Sequence, residues 1–197
     1  MQKPYDAISS KYEDQYISAG FPPKICSDMI TNLCSMNRMK CKVLEMGCGK
    51  GFVAGYLKAE GFHNVSGVDC SNNLLQIAKS KNTYQNLERM VVGQQGYEIS
   101  PEYKDQFDFI VVPSLVNNNG YDRKVFMDML YCLKVRGYAV FATKLNYFKQ
   151  DIYENEIKSL SEEGYWEFTS EHEFYRYDML CEGMGKFSTK LVKVLAY

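Results

Sequence analysis

The 197-residue chain predicts an α/β protein in which a doubly wound, mostly parallel seven-stranded sheet ends in an antiparallel C-terminal hairpin and carries an N-terminal helical cover. Three observations lead there. Short apolar runs alternate with stretches of helical period, a glycine-rich turn follows the first run, and beyond about residue 165 two strand-like stretches follow one another with no helix between them.

Residues 1 to 36 hold two amphipathic patches, "YDAISSKYEDQY" and "CSDMITNLCSM", broken at "AGFPPK" and read as helices laid over the rim of the sheet. Residues 41 to 145 form the core of the unit. "CKVLEM" (41 to 46), "NVSGVD" (64 to 69), "LERMVVG" (87 to 93), "FDFIVV" (107 to 112) and "GYAVFAT" (137 to 143) read as strands, several of them apolar enough to be covered on both faces. Between them, Phe52, Val53, Tyr56 and Leu57 make a helical stripe with Gly61 as its stop, and Ser71 caps a helix carrying Leu74, Leu75 and Ala78. A further helix is expected from about Arg123 to Lys134, ended by Gly137. Residues 146 to 197 add a helix with a capping-box pattern at Asp151 and Glu154, closed by Gly164, and then the hairpin. Strand–helix–strand units require right-handed crossovers and hence parallel strands, whereas the last strand must run antiparallel to its neighbour. The whole chain, 1 to 197, reads as one domain.

Composition narrows the function. With 46% hydrophobic residues the chain is ordinary for a globular protein, and its net charge of −1 gives no general attraction to a phosphate backbone, so nucleic acid is not a favoured partner. The one basic cluster, Arg38, Lys40 and Lys42, reads as a solvated edge. The polar N-terminal stretch lacks the apolar core of a signal sequence and no run approaches membrane-spanning length, so a cytoplasmic location without membrane contact is expected. Seven cysteines lack the short paired spacings of a zinc site, and His63 and His172 are far apart in sequence; no metal site is expected.

The stretch "VLEMGCGKGF" carries the chemistry. Gly47, Gly49 and Gly51 let the chain turn sharply and leave bare backbone facing a ligand at the carboxyl end of the first strand, where open parallel sheets bind their ligands. Asp69, ending the second strand about twenty residues on, is placed to accept the hydroxyl protons of a ribose. Together these indicate a nucleoside without saying which. A dinucleotide brings a pyrophosphate that a nearby carboxylate would repel, whereas S-adenosylmethionine brings an ammonium and a sulfonium; Glu45, as a negative charge, favours the second.

"VLEMGCGKGFVAGYL", "VSGVDCSNNLLQIAK", "FDFIVVPSLV" and "LKVRGYAVFAT" resemble the successive motifs of class I S-adenosylmethionine-dependent methyltransferases, whose fold is Rossmann-like. Within the class, "YDAISSKYEDQY" and "LSEEGYWEF" are similar to the small methyltransferases named after the Williams-Beuren critical region. The resemblance implies that Glu45, Gly47, Gly49 and Gly51 hold the methionine moiety, that Asp69 takes the ribose and that Cys70 flanks the adenine. Gln94 stands where the class often has an acid for the adenine amino group, and an amide can both accept there and donate to the ring. Pro113 and Ser114 would lie beside the transferring methyl, and Tyr12 matches a tyrosine that closes over the cofactor. The chain reads "LKVRG" where the class has Leu-Lys-Pro-Gly-Gly, a change that affects a turn.

A sulfonium methyl is already activated, so transfer mainly requires an acceptor held in line. Candidates for a general base are His172, Glu167 and the tyrosines of the cover. "VPSLVNNN" lacks the Asn/Asp-Pro-Pro-aromatic pattern of enzymes that grip planar amino groups, which disfavours nucleobases and glutamine; the acceptor is expected to be a small molecule or a protein side chain. Asn117, Asn118 and Asn119 either bind a polar substrate or form a solvated loop, and Tyr16, Trp166 and Phe168 either line an apolar pocket or fill the hairpin core. Two other functions stay open. One is a silent subunit that keeps the fold to bind a protein partner, and the other an NAD-type oxidoreductase, which Glu45 disfavours and in which Phe52 stands where that motif wants another glycine.

Overall fold

A computed structural model describes residues 22–113, 123–144, 152–178 and 183–195. In chain order the elements are α1 (Pro22–Leu33), β1 (Lys42–Met46), α2 (Phe52–Ala59), β2 (Asn64–Asp69), α3 (Asn72–Ser80), β3 (Asn86–Arg89), β4 (Phe107–Val112), α4 (Arg123–Cys132), β5 (Leu133–Lys144), α5 (Ile152–Glu162), β6 (Trp166–Asp178) and β7 (Gly183–Val194). They form one seven-stranded sheet in the order β3-β2-β1-β4-β5-β7-β6. The first five strands in chain order pair in parallel, whereas β7 runs antiparallel to both β5 and β6. The order reverses between β1 and β4, and this creates the crevice at their carboxyl ends.

Alternation along the strands distributes two cores. Leu44, Met46, Ile110, Val112 and Phe141 point to the side where Phe126 and Met129 of α4 and Leu160 of α5 pack. Val43, Phe109, Val111 and Val140 point to the other side, against Ile30 of α1 and Val53 and Leu57 of α2. Burial of each such side chain contributes about 1.5–3 kcal/mol. Trp166 belongs to the first core: it is fully buried, meets Phe126 edge-on at 5.5 Å, and its Nε1 donates to the Ile157 carbonyl (3.0 Å). It therefore lines no pocket, and Phe168 is 46% exposed.

Three boundaries differ from the sequence expectation. The "AGFPPK" segment does not break the cover throughout: α1 begins at Pro22, because proline in a first turn lacks only an N–H that has no partner anyway. β3 runs Asn86–Arg89 and not 87 to 93. The Met90 amide still donates to the Asp69 carbonyl (3.1 Å), after which Gly93 turns the chain at φ +69°. α4 ends at Cys132 and passes directly into β5, so Gly137 is no helix stop. A Cβ at Gly137 would sit 2.9 Å from the Lys134 carbonyl oxygen and 3.0 Å from that of Asp108, so the irregular start of β5 needs glycine for close backbone approach. The expected stops at Gly61 and Gly164 do hold, at φ +89° and +83°. Asp151 and the patch at residues 5 to 16 lie outside the described residues.

Candidate cofactor site

The turn after β1 is built by its glycines and pinned by backbone. Gly47, Gly49 and Gly51 have φ of +70°, +52° and +78°, the left-handed region in which other residues are strained. The amides of Gly47 and Cys48 donate to the Val68 carbonyl of β2 (2.8 and 3.0 Å), and the Gly51 amide closes the turn onto the Cys48 carbonyl (2.8 Å). A Cβ at Gly49 would meet nothing within 4 Å, whereas one at Gly51 would meet the Tyr84 ring at 2.8 Å. One glycine thus leaves backbone open to the crevice, and the other makes room for protein.

Asp69 ends β2 beside this turn and is 8% exposed. Its Oδ2 accepts from the Gly49 amide (2.8 Å) and its Oδ1 from the Ser71 amide (2.9 Å), and Ser71 in turn caps α3 through the Leu74 amide. Burial raises its pKa, while the amide donors of Ser71, Gly49 and Cys70 oppose that shift. A carboxylate offers about four lone-pair positions, so acceptance from sugar hydroxyls is compatible with the two amide bonds.

Glu45 stands under the loop, 2% exposed. The Tyr84 hydroxyl donates to its Oε2 (2.6 Å), and it also accepts from the backbone of Ala54 in the first turn of α2. Gly51, the residue before α2, offers no side-chain cap, so Glu45 serves an otherwise orphaned helix amide from the neighbouring strand. Burial pushes its carboxyl up to about 8; the bonds from Tyr84 and Ala54 lower it, Asp69 nearby raises it and Lys81 lowers it. The expectation of a fixed negative charge is therefore corrected. At neutral pH burial favours the protonated carboxyl, and its charge does not by itself separate a sulfonium nucleoside from a dinucleotide.

The remaining described candidates fall at several places in the fold. Pro113 is buried at the end of β4, Cys70 is exposed next to Asp69, and Gln94 is half-buried in the segment after β3. Tyr12 and Ser114 lie outside the described residues, as do Tyr16 and Asn117 to Asn119. His172 is exposed on edge strand β6. Three strand spacings, about 14 Å, separate that strand from β4, after which Pro113 and Ser114 follow in the chain. Glu167, on the same strand, pairs with Lys193.

Two residues that sequence reasoning passed over support the site. Tyr84 sits in the polar stretch "SKNTYQN", where nothing periodic singles it out. Asp128, 2% exposed on α4, accepts from the Gly93 amide (2.7 Å) and from Lys124, and so fixes the segment that carries Gln94. A carboxylate inside "VFMDML" was a visible signal, because a charge on an apolar helix face needs a partner. A separate cavity of about 190 Å³, lined by Lys42, Asn64, Ser66 and Tyr103 among others, lies at the opposite ends of the strands.

The amides of Gly47, Cys48, Gly49 and Gly51 already have acceptors within the protein, so what the site offers a nucleoside with an amino-acid tail is the open space over Gly49, the start of α2 and the spare lone pairs of the Asp69 carboxylate. Among the described residues no group of His, Cys, Asp and Glu is arranged to hold a metal ion.

Comparison with known proteins agrees with the fold. A family model described as a methyltransferase domain matches residues 43–137. The human methyltransferase-like protein 27 is 25% identical over 168 residues, which are 83% of this chain and 66% of that protein. The chain thus spans about two thirds of that relative's length. A S-adenosylmethionine-dependent methyltransferase from Methanosarcina mazei superposes with a TM-score of 0.64 at 13% identity, over 86% of this chain and 98% of the other. A TehB-like S-adenosylmethionine-dependent methyltransferase from Corynebacterium glutamicum gives 0.63 at 16%, over 96% and 94%. A Thermoplasma acidophilum protein gives 0.67 at 14%, over 90% and 87%.

Proposed function

We propose that this chain, a class I S-adenosylmethionine-dependent methyltransferase, transfers the methyl group of that cofactor to a small molecule or a protein side chain by in-line displacement. The observation that carries the proposal is the glycine turn at the switch point of the sheet with Asp69 beside it. In this reading Gly47, Gly49 and Gly51 present their backbone to the methionine moiety, Asp69 accepts from the ribose, and Cys70 and Gln94 flank the adenine. Pro113 and Ser114 border the place where the acceptor meets the methyl, and Tyr12 covers the cofactor. The bound cofactor supplies an already activated methyl group. The protein's share is then to hold the acceptor in line and exclude water, which is worth up to about 7–11 kcal/mol where geometry is favourable.

Isothermal titration with S-adenosylmethionine and its demethylated product, with NAD as a control ligand, tests the cofactor side. Transfer from methyl-labelled donor to pooled small molecules and to protein tests the acceptor side. Micromolar binding of both sulfur nucleosides is expected, with labelled product in one pool. Failure to bind either would overturn the proposal, and binding without any transfer would favour a silent subunit that keeps the fold to engage a partner.

A further inference from the structure

We infer that Tyr84 is a positioning residue for the cofactor turn, acting through Glu45: its ring sets the spacing between the turn and β2, and its hydroxyl holds the carboxyl beneath the start of α2. Two independent contacts carry this. A Cβ at Gly51 in the turn would lie 2.8 Å from Tyr84 Cε2, and one at Gly67 in β2 would lie 2.7 Å from Cε1, so a single ring requires glycine on both elements. Its hydroxyl reaches Glu45, which also receives the Ala54 amide. The ring is fixed in turn, because the Gln85 amide donates to the Val65 carbonyl (2.8 Å) and ties the segment to β2.

Glu45 is faced from every side by groups that bear on its charge. Tyr84 and the Ala54 amide favour the ionised form, as does Lys81, while Asp69 opposes it. Cys26 of α1 and Cys48 of the turn also feel the carboxyl, and both thiols are held protonated by burial. Removing the hydroxyl takes away a donor that favours the carboxylate, so the proton should be held more tightly and the turn's support weakened. A ligand with a net positive charge favours the ionised form, so its binding should release a proton when Glu45 starts out protonated.

The test compares wild type with Tyr84→Phe, which keeps the ring. Wild-type affinity for S-adenosylmethionine should rise with pH as it approaches 8, with proton release visible in buffers of different ionisation enthalpy. Tyr84→Phe should bind about threefold to tenfold more weakly at pH 7 and shift the rise to higher pH. Independently of any ligand, carbon-detected NMR of glutamate-labelled protein should show the Glu45 carboxyl titrating well above the ordinary range, and higher still in Tyr84→Phe. An unchanged pH profile and unchanged carboxyl titration in the variant would overturn the inference. If the variant does not fold, wild type alone decides, because a Tyr84 hydroxyl proton that exchanges as fast as an exposed tyrosine's would show no bond to Glu45 and overturn it too. The inference rests on the cofactor reading only for its binding arm; should no sulfur nucleoside bind, the NMR arm still tests Tyr84.

Discussion

Replacing Asp69 by alanine removes the acceptor of two backbone amides, one in the cofactor turn and one at the start of α3. Hydrogen bonds to a charged group contribute about 1.5–3 kcal/mol each. The full sum is not expected, since burial raises the Asp69 pKa and so offsets part of the gain. A net loss of roughly 2–3 kcal/mol follows, which for a domain of this size lowers Tm by about 4–12 °C. S-adenosylmethionine affinity should fall at least tenfold, because the turn loses its anchor and the ribose its acceptor. Asp69→Asn should be intermediate, since its NH2 group must face one of the two amide donors. Calorimetric melting and titration calorimetry read both effects. A variant that melts as wild type does would refute the anchoring argument, and one that binds equally well would refute the assignment of Asp69 to the cofactor.

Glu45→Gln keeps an acceptor for Tyr84 and Ala54 but removes the titration. Between its ordinary 4.5 and about 8 the unfolded chain ionises while the folded chain keeps its proton, so wild-type stability should fall as pH rises through that window. The fall amounts to at most roughly 4–5 kcal/mol; urea midpoints at pH 5, 6.5 and 8 should drop for wild type and stay nearly level for the glutamine variant. Gly49→Val places a branched side chain at φ +52° in open space, so it should cost about 1–2 kcal/mol of stability while abolishing cofactor binding, as melting and calorimetry would show. Gly51→Ala meets the Tyr84 ring and should destabilise even without ligand, seen as a lower urea midpoint. Asp128→Ala strands the Gly93 amide and should cost about 2–4 kcal/mol by the same measurement.

How far the sequence could be read depended on whether a feature is local or brought together by pairing. The glycine turn, the Ser71 cap and the stops at Gly61 and Gly164 follow from the conformational needs of single residues, and β1 and β4 from apolar runs covered on both faces. The start of β5 was not legible, because the demand for Gly137 arises from an irregular strand start that sets the Lys134 carbonyl and the Asp108 carbonyl of β4 against it together. The acid ahead of the glycines could be found but not its state, since the burial and the Tyr84 hydroxyl that decide it arrive from 39 residues away. His172 illustrates the converse: a residue type suited to proton transfer says nothing of the edge strand on which it stands.

β7 lies between β5 and β6 although it follows both in the chain. β6 therefore has no place in the sheet until a later segment has threaded in beside β5, and a partly assembled molecule would carry β5 as a raw border able to capture a foreign strand. The last strand of the chain closes the sheet, so assembly should be slower than the helical content alone would allow, and crowded or hot conditions should punish that waiting period first.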